Sequence, residues 1–238
     1  MDIAPADAPS AAVSAAFVWT LLTLAAYTAA LGLYRRSGHH LLCLPVLTGT
    51  GLVLGALALA GAGYPVYAEG TRLLRWLTGP AIIALAVPLY RQAALLRRLA
   101  LPLVGALLAG CLASVLGTLL LAWSLASPMS FALSIAPKAA TMPIAMQAAE
   151  RAGGLPSVAA LAVVATGVMG TLLARPVLGL MRLDDASTRS FALGLVAHAI
   201  GTARTLQTQP GSVAFAALAM GLNGVGTALV IALLARWL

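Results

Sequence analysis

The chain alternates long apolar runs with short polar interruptions, and the runs have the length of membrane-spanning helices. A helix needs about 20 mostly apolar residues to cross the hydrocarbon core of a bilayer. The sequence lacks the two-residue alternation of barrel strands, so we expect helices. Runs of this kind are predicted at 14–34, 41–61, 102–125, 156–180 and 212–238.

Three further regions, 66–98, 128–152 and 188–207, are apolar but contain prolines or polar side chains. A proline inside a helix removes one N–H donor and clashes with the preceding turn, so it predicts a break or a kink. The prolines concerned are Pro80 and Pro88 in the first region and Pro137 and Pro143 in the second. The predicted fold is therefore an all-α polytopic membrane protein with about 7–8 membrane segments, some interrupted or re-entrant.

The two halves of the chain follow a similar plan. "LLAGCLASVLGTLLLAW" in the run at 102–125 resembles "LAMGLNGVGTALVIALL" in the last run, with an offset of about 110 residues. This predicts repeats at 14–125 and 128–238 within one membrane domain, 14–238, preceded by a short disordered tail at 1–13. Because helices rich in Gly and Ala resemble one another by composition, chance similarity stays open as the alternative.

Basic residues predict the topology, since cytoplasmic loops carry an excess of Lys and Arg. Arg35 and Arg36 place the first loop inside and the N-terminus outside. Simple crossings would then put Arg182 outside, against the rule. A re-entrant segment within 128–152 removes that conflict and makes the two halves inverted repeats, an arrangement common in transporters.

Composition supports the membrane assignment and excludes several classes of protein. The chain is 61% hydrophobic and only 8% charged, whereas a soluble domain is about 25% charged. The net charge of +8 comes from arginines at the ends of apolar runs, so lipid headgroups explain it and nucleic acid is not expected as a partner. Cys43 and Cys111 lie in apolar segments and are predicted packing residues.

Lys138 is the only lysine, and it lies between two prolines in "APKAATMPIAMQ". An interrupted helix exposes free N–H groups that attract anions, and a lysine adds a full positive charge. Thr141 and Pro143 complete this first candidate cluster. The alternative is a lysine whose ammonium extends to lipid headgroups.

A second cluster lies in "LVAHAIGTARTLQ". His198 and Thr202 are four residues apart and share a helix face, and Gly201 allows the backbone to open or to approach a ligand. Arg204 has a guanidinium suited to a carboxylate. In the alternative interpretation His198 caps a neighbouring carbonyl and Arg204 is a loop charge.

Asn223, flanked by glycines in "AMGLNGVGTAL", is the third candidate. It is either a substrate ligand or part of close helix packing. The sequence has no HExxH, GxSxG or paired-cysteine pattern, so we expect no enzyme, metal or cofactor. Carboxylates are too few near these clusters for a carboxylate-built sodium or calcium site.

Three blocks, "PKAATMPIAMQAAERAGGLPSVAALAVVATGVMG", "ALGLVAHAIGTARTLQ" and "FAALAMGLNGVGTAL", closely resemble the LrgB/CidB family of bacterial membrane proteins. "GPAIIALAVPLYRQ" matches a further block, and the similarity covers roughly residues 40–238. All eight candidate residues fall in matching blocks: Lys138, Thr141, Pro143, His198, Gly201, Thr202, Arg204 and Asn223. Departures from the family pattern are Ala139 for serine, and Met142 and Ile82 for threonines.

The resemblance implies a carrier of small monocarboxylates of the glycolate, glycerate, pyruvate or lactate kind. We expect such a carrier to work by alternating access, with proton coupling as an option. The family is also described as antiholin-like and as acting on murein hydrolase activity with small LrgA/CidA-type partners, so a regulator of lysis is the alternative. We expect a multi-pass protein of the bacterial inner membrane that contacts the lipid bilayer, takes a small organic anion as substrate and forms a homo-oligomer, a dimer.

Overall fold

The computed structural model describes residues 8–236, and all regular elements within this range are helices. The predicted all-α class is thereby confirmed. The helices are α1 (Ala8–Arg36), α2 (Pro45–Leu59), α3 (Tyr64–Gly70), α4 (Arg72–Ala84), α5 (Ala86–Arg91), α6 (Ala93–Arg98), α7 (Ala100–Ser124), α8 (Met129–Ile135), α9 (Met142–Arg151), α10 (Pro156–Leu180), α11 (Ala186–Thr208) and α12 (Val213–Leu234).

Among the described residues, five helical segments are long and apolar enough to cross a membrane, and the bent pair α2–α3 brings the number to six. The predicted count of 7–8 segments is not confirmed. The five are Phe17–Arg36, Arg72–Arg91, Ala100–Ser124, Pro156–Leu180 and Pro210–Leu234. Of the predicted tail at 1–13, residues 1–7 lie outside the described residues, and α1 already begins at Ala8.

The described part of the chain divides into two compact units, one that ends at Ala84 and one that begins at Leu85. In the first, α1 packs on α2 through a cluster of Trp19, Ala26, Val53 and Leu57, and Tyr67 of α3 packs against this cluster. The axes of α2 and α3 meet at 118°, and the hydroxyl of Thr20 donates to the carbonyl of Gly70 at 2.7 Å to hold that bend.

The predicted interruption of 66–98 is confirmed, since this stretch contains the end of α3 and the three helices α4, α5 and α6, with breaks at Thr71, Leu85 and Gln92. Pro88 explains the break at Leu85. It has no N–H to donate to the carbonyl one turn earlier and its ring crowds that carbonyl, so α4 ends at Ala84. Pro80, by contrast, is accommodated within α4.

The second unit is built around α11, which packs between α10 and α12. Asp185 caps the N-terminus of α11 by accepting from the backbone N–H of Thr188 at 2.7 Å and from its hydroxyl at 2.8 Å. These hydrogen bonds stabilise the carboxylate and lower the pKa of Asp185. In the same unit, α7, α9 and α12 share a core of Val115, Ala148 and Ile231.

Candidate functional site

The first interruption in the second unit separates α8 from α9 and carries Lys138. Residues 136–141 form turns, with the Lys138 N–H donating to Ile135 at 3.2 Å and the Ala140 N–H donating to Pro137 at 2.9 Å. Pro143 stands in the first turn of α9, where a proline is tolerated because its missing N–H would have no helical acceptor. The prolines therefore end one helix and begin the next, as the sequence predicts.

The second interruption lies inside α11, at His198, whose φ of 40° and ψ of −125° are not helical. It divides the helix into a first half, 186–197, and a second half, 199–208. The sequence predicted the opening at Gly201, three residues later. Gly201 has a different role: a Cβ there would collide with the carbonyl oxygen of Leu193, so its lack of a side chain lets the two halves approach closely.

Asn223 on α12 connects the two interruptions. Its Nδ2 donates to the carbonyl of Ala139 at 2.9 Å and to the carbonyl of Leu195 at 3.0 Å. Because a carbonyl oxygen only accepts, these two bonds fix which end of the amide is nitrogen. Asn223 is fully buried, and its Oδ1 has no hydrogen-bond partner among the described atoms.

The carbonyl of Leu195 is available to Asn223 because α11 is interrupted. In an unbroken helix this oxygen would accept from the N–H of Ala199, four residues on, and the conformation of His198 removes that arrangement. A buried carbonyl left without a donor would be costly. The side chain of Asn223 thus replaces a helical hydrogen bond.

Lys138 is half-buried, and its Nζ contacts the hydroxyl of Thr118 on α7. Thr118 is itself buried and donates to the carbonyl of Ser114 at 2.6 Å, so its lone pairs remain available for the ammonium. The only lysine of the chain is therefore directed at a neighbouring helix. The adjoining residue, Ala139, is the one bound by Asn223.

His198 is buried, and its Nε2 lies 3.0 Å from the carbonyl of Val163 on α10. A carbonyl can only accept, so Nε2 carries the proton. This contact corresponds to the alternative interpretation in which His198 caps a neighbouring carbonyl. Thr202 donates to the backbone carbonyl of His198 at 2.9 Å, and Gly167 leaves the space that the imidazole fills, since a Cβ there would lie 2.7 Å from Cε1.

The remaining predicted residues occupy the edges of this region. Thr141 is half-buried at the N-cap of α9 and makes no side-chain capping bond, whereas Pro143 is exposed. Arg204 is half-buried in the second half of α11, six residues beyond the break. The structure thus joins the segments of Lys138, His198 and Asn223 through hydrogen bonds.

Comparison with known proteins decides the family. The model of the LrgB-like family matches residues 23–237. The chain belongs to the LrgB-like family. The resemblance of the sequence blocks to this family is confirmed, and so is a multi-pass membrane protein as the broad class.

Relatives from Bacillus match the LrgB-like chain over most of its length. The Bacillus subtilis (strain 168) protein YxaC, described as uncharacterized, is 34% identical over 88% of this chain and 91% of its own length. The antiholin-like protein LrgB of the same organism is 28% identical over 89% of this chain and 91% of its own length. The antiholin-like protein LrgB of Bacillus cereus (strain B4264) is 26% identical over 89% of this chain and 92% of its own length. No solved structure matches the chain.

A groove of about 660 Å³ between α9 and α12 approaches the site of this LrgB-like protein. Its inner end is formed by Ile144 and Gly224, the latter next to Asn223, and its outer end by Arg151 and Arg236. Both arginines are exposed. The groove therefore offers apolar walls with positive charge at the mouth.

Sequence reasoning missed Thr118, Gly167 and the two carbonyl groups that Asn223 binds. Thr118 is a lone hydroxyl in an apolar helix, and such a residue most often bonds to its own backbone, as Thr118 also does. Within residues 8–236 no three side chains of His, Cys, Asp or Glu come together as a metal site. The site can therefore offer ammonium, guanidinium, hydroxyl, amide and backbone groups to a ligand.

Proposed function

We propose that this LrgB-like protein carries small monocarboxylates of the glycolate, glycerate, pyruvate or lactate kind across the bacterial inner membrane. The observation that carries the proposal is the meeting of two interrupted helices at Asn223 in the interior of the second unit. Non-helical backbone at membrane depth occurs where it is buried in protein or lines a water-filled cavity, and in transporters such interrupted helices form the substrate site.

In this proposal positive charge selects an anion. Lys138 stands in the first interruption and Arg204 in the second half of α11, which begins at the second interruption. The N-terminus of that half and the N-terminus of α9 add partial positive charge. Thr141 and Thr202 supply hydroxyl groups, and His198 is the residue that takes up or releases a proton if transport is proton-coupled.

The groove between α9 and α12 is the entry that we propose for the anion. Arg151 and Arg236 at its mouth raise the local concentration of negatively charged solutes. Ile144 and Gly224 close the inner end, so access to the interruption requires a movement there. Alternating access follows if 14–125 and 128–238 are inverted repeats that rock against each other.

Flux into proteoliposomes tests the proposal. Purified protein is reconstituted, and uptake of radiolabelled two- and three-carbon acids is compared with uptake of a neutral sugar. We expect saturable uptake of at least one acid. No acid flux above that of empty liposomes, from protein shown to be folded and inserted, would refute the carrier function.

Charge-neutralising variants locate the site. Arg204→Gln and Lys138→Gln are expected to abolish uptake while the protein still folds. Arg182→Gln is the matched control, because Arg182 is exposed in the turn before α11. Undiminished transport by the Arg204 or Lys138 variant would remove that residue from the site, and equal losses in all three variants would indicate a general effect of charge.

A second candidate function is supported by the relatives named antiholin-like. In that case the chain binds a small LrgA/CidA-type membrane protein, or a second copy of itself as a dimer, and modulates murein hydrolase activity. Gly51 and Gly55 on α2 are exposed, and a Cβ added to either would meet no other atom within 4 Å, which suits close approach of another helix. Copurification with such a partner that is abolished by Gly51→Leu, together with absence of carboxylate flux, would favour the regulator.

A further inference from the structure

The buried side-chain amide of Asn223 has an oxygen, Oδ1, without a hydrogen-bond donor, close to the two backbone carbonyl oxygens that its nitrogen binds. Its Nδ2 is bonded to the carbonyls of Ala139 and Leu195, while Oδ1 has no partner and the residue is 0% exposed. A buried acceptor without a donor is rare in folded proteins and needs a partner such as a ligand, an ion or a water molecule. The feature is independent of the positively charged side chains that the proposed function uses.

Amide geometry places the backbone oxygens within reach of the same ion. The acceptor bonded to the Nδ2 hydrogen on the Oδ1 side lies about 4 Å from Oδ1, from standard bond lengths and a 3 Å hydrogen bond. Each of the two carbonyls has a second lone pair that Asn223 does not use. Oδ1 and a backbone oxygen are therefore spaced as two ligands of one small cation.

The local field also favours a cation. The carbonyl of Leu195 belongs to the last turn of the first half of α11, and helix C-termini carry partial negative charge. In discontinuous membrane helices, unwound carbonyls and half-helix C-terminal ends are the groups that hold sodium ions. The carbonyl of Ala139 lies in the unwound segment 136–141, and the carbonyl of Leu195 lies at the C-terminal end of a half-helix.

The ligand set selects the type of ion. Transition metals prefer nitrogen and sulfur ligands, and no cluster of such side chains is present in the described part of the chain. Calcium and magnesium prefer carboxylates, but Glu150, Asp184 and Asp185 of the second unit are all exposed. Neutral amide and carbonyl oxygens suit a monovalent ion.

We propose that Asn223 Oδ1, together with backbone carbonyl oxygens at the interruptions of α8–α9 and α11, binds a sodium ion. The sequence-based argument against a sodium site considered carboxylates only, and this site uses none. Lys138 is the charged side chain next to Ala139 and repels the ion, so affinity is low without an anion. Coupling of sodium to substrate rests on the proposed function, whereas sodium binding does not.

Binding is measured on the purified wild-type protein in detergent, without any carboxylate. Thermal unfolding is followed in sodium, potassium and choline chloride at equal ionic strength, and ²²Na⁺ binding is measured in parallel. We expect the unfolding midpoint to rise and saturate with sodium, as for a ligand that binds the folded state. Equal midpoints in the three salts, or a rise of the same size in potassium, would overturn the proposal.

Two substitutions on one helix locate the ion. Asn223→Leu removes the oxygen and is expected to reduce ²²Na⁺ affinity at least about tenfold, which corresponds to about 1.4 kcal/mol. Thr227→Val is the matched control, since Thr227 is one turn further along α12, fully buried, and contacts Cys111 at 3.6 Å instead. It should keep the sodium response, and an Asn223→Leu protein that also keeps it would refute the assignment.

Asn223→Asp covers the case in which the leucine variant does not fold. It keeps one side-chain oxygen and adds a negative charge, so sodium should stabilise this variant more than the wild type. A smaller sodium response would contradict the proposal. If a hydroxy acid raises the unfolding midpoint of the wild-type protein and sodium does not, the sodium site is overturned and Oδ1 accepts from a substrate hydroxyl instead. Sodium binding without acid flux would support the ion site and refute the carrier function.

Discussion

The contact between Gly194 and Ala216 sets how closely α11 packs on α12, and Gly194→Ala tests it directly. Gly194 is buried, and a Cβ added to it would lie 2.6 Å from the Cα and 2.7 Å from the carbonyl carbon of Ala216, with the carbonyl oxygen nearer still. These are backbone atoms, so no side-chain rotation can relieve the collision. The two helices must separate.

Three contributions decide the size of the effect. Alanine favours a helix over glycine by about 1 kcal/mol, and overpacking a tight contact costs about 1–3 kcal/mol. Separation also pulls Asn223 from the carbonyl of Leu195, next to Gly194 in the chain, and a buried polar group left unpaired costs about 1–3 kcal/mol. The net expectation is a destabilisation of about 3 kcal/mol.

Thermal unfolding of the purified protein in detergent measures this loss, with Gly221→Ala as the matched control. Gly221 is an exposed helical glycine on α12 with nothing within 4 Å of an added Cβ. For a chain of this size about 3 kcal/mol corresponds to a midpoint lowered by roughly 6–12 °C. The control should be unchanged or slightly more stable. Equal midpoints for the two variants would refute the close packing of α11 on α12.

Three further substitutions test other contacts by the same unfolding assay. Asn223→Ala removes a donor from the buried carbonyl of Ala139 and from the half-buried carbonyl of Leu195, but it also removes the unpaired Oδ1, so a net loss of about 2 kcal/mol is expected. An unchanged midpoint would contradict these two hydrogen bonds. Gly167→Ala displaces the imidazole of His198 and should cost about 1–2 kcal/mol net, since overpacking and the lost hydrogen bond outweigh the roughly 1 kcal/mol by which alanine favours the helix. Full stability would show that the ring is not held there. Asp185→Ala removes the cap of α11 and should cost about 1 kcal/mol at pH 7. The cap lowers the pKa of Asp185, so the stabilisation that the cap contributes is fully present above the ordinary pKa of the carboxyl group and is lost as the pH falls through the lowered pKa. A difference in stability between Asp185→Ala and the wild type that persists in strong acid would contradict the cap.

The long helices could be predicted from the sequence because their signals are local. The run at 156–180 coincides with α10, and the run at 102–125 differs from α7 by a residue or two at each end. Proline also gave the correct position of the first interruption, between α8 and α9. These features depend on hydrophobicity and on the missing N–H of proline, which a residue carries wherever it is placed.

The position of the second interruption could not be predicted, because the residue at position 198 is a histidine, which is not a helix breaker. Histidine with a positive φ is uncommon, and only contacts made in the folded protein explain it. Likewise, the glycines on either side of Asn223 indicated that this residue either binds a ligand or takes part in helix packing. Which of these holds depends on two carbonyls that are distant in sequence, Ala139 and Leu195, and no local pattern reports them.

The backbone conformation of His198 is opposed by strain and held by hydrogen bonds. A non-glycine residue in this region of φ and ψ costs about 1–3 kcal/mol, and bonds of the ring to Val163, of Thr202 to the His198 carbonyl and of Asn223 to Leu195 offset that cost. If α11 became continuous, the strain would vanish and the N–H of Ala199 would reclaim the carbonyl of Leu195. The carbonyl of Leu195 thus accepts from Asn223 when α11 is interrupted, and it would accept from the N–H of Ala199 if α11 were continuous. Since Asn223 also holds the carbonyl of Ala139, a change in α11 would be transmitted to the interruption that carries Lys138, which is the kind of coupling that the proposed carrier function needs.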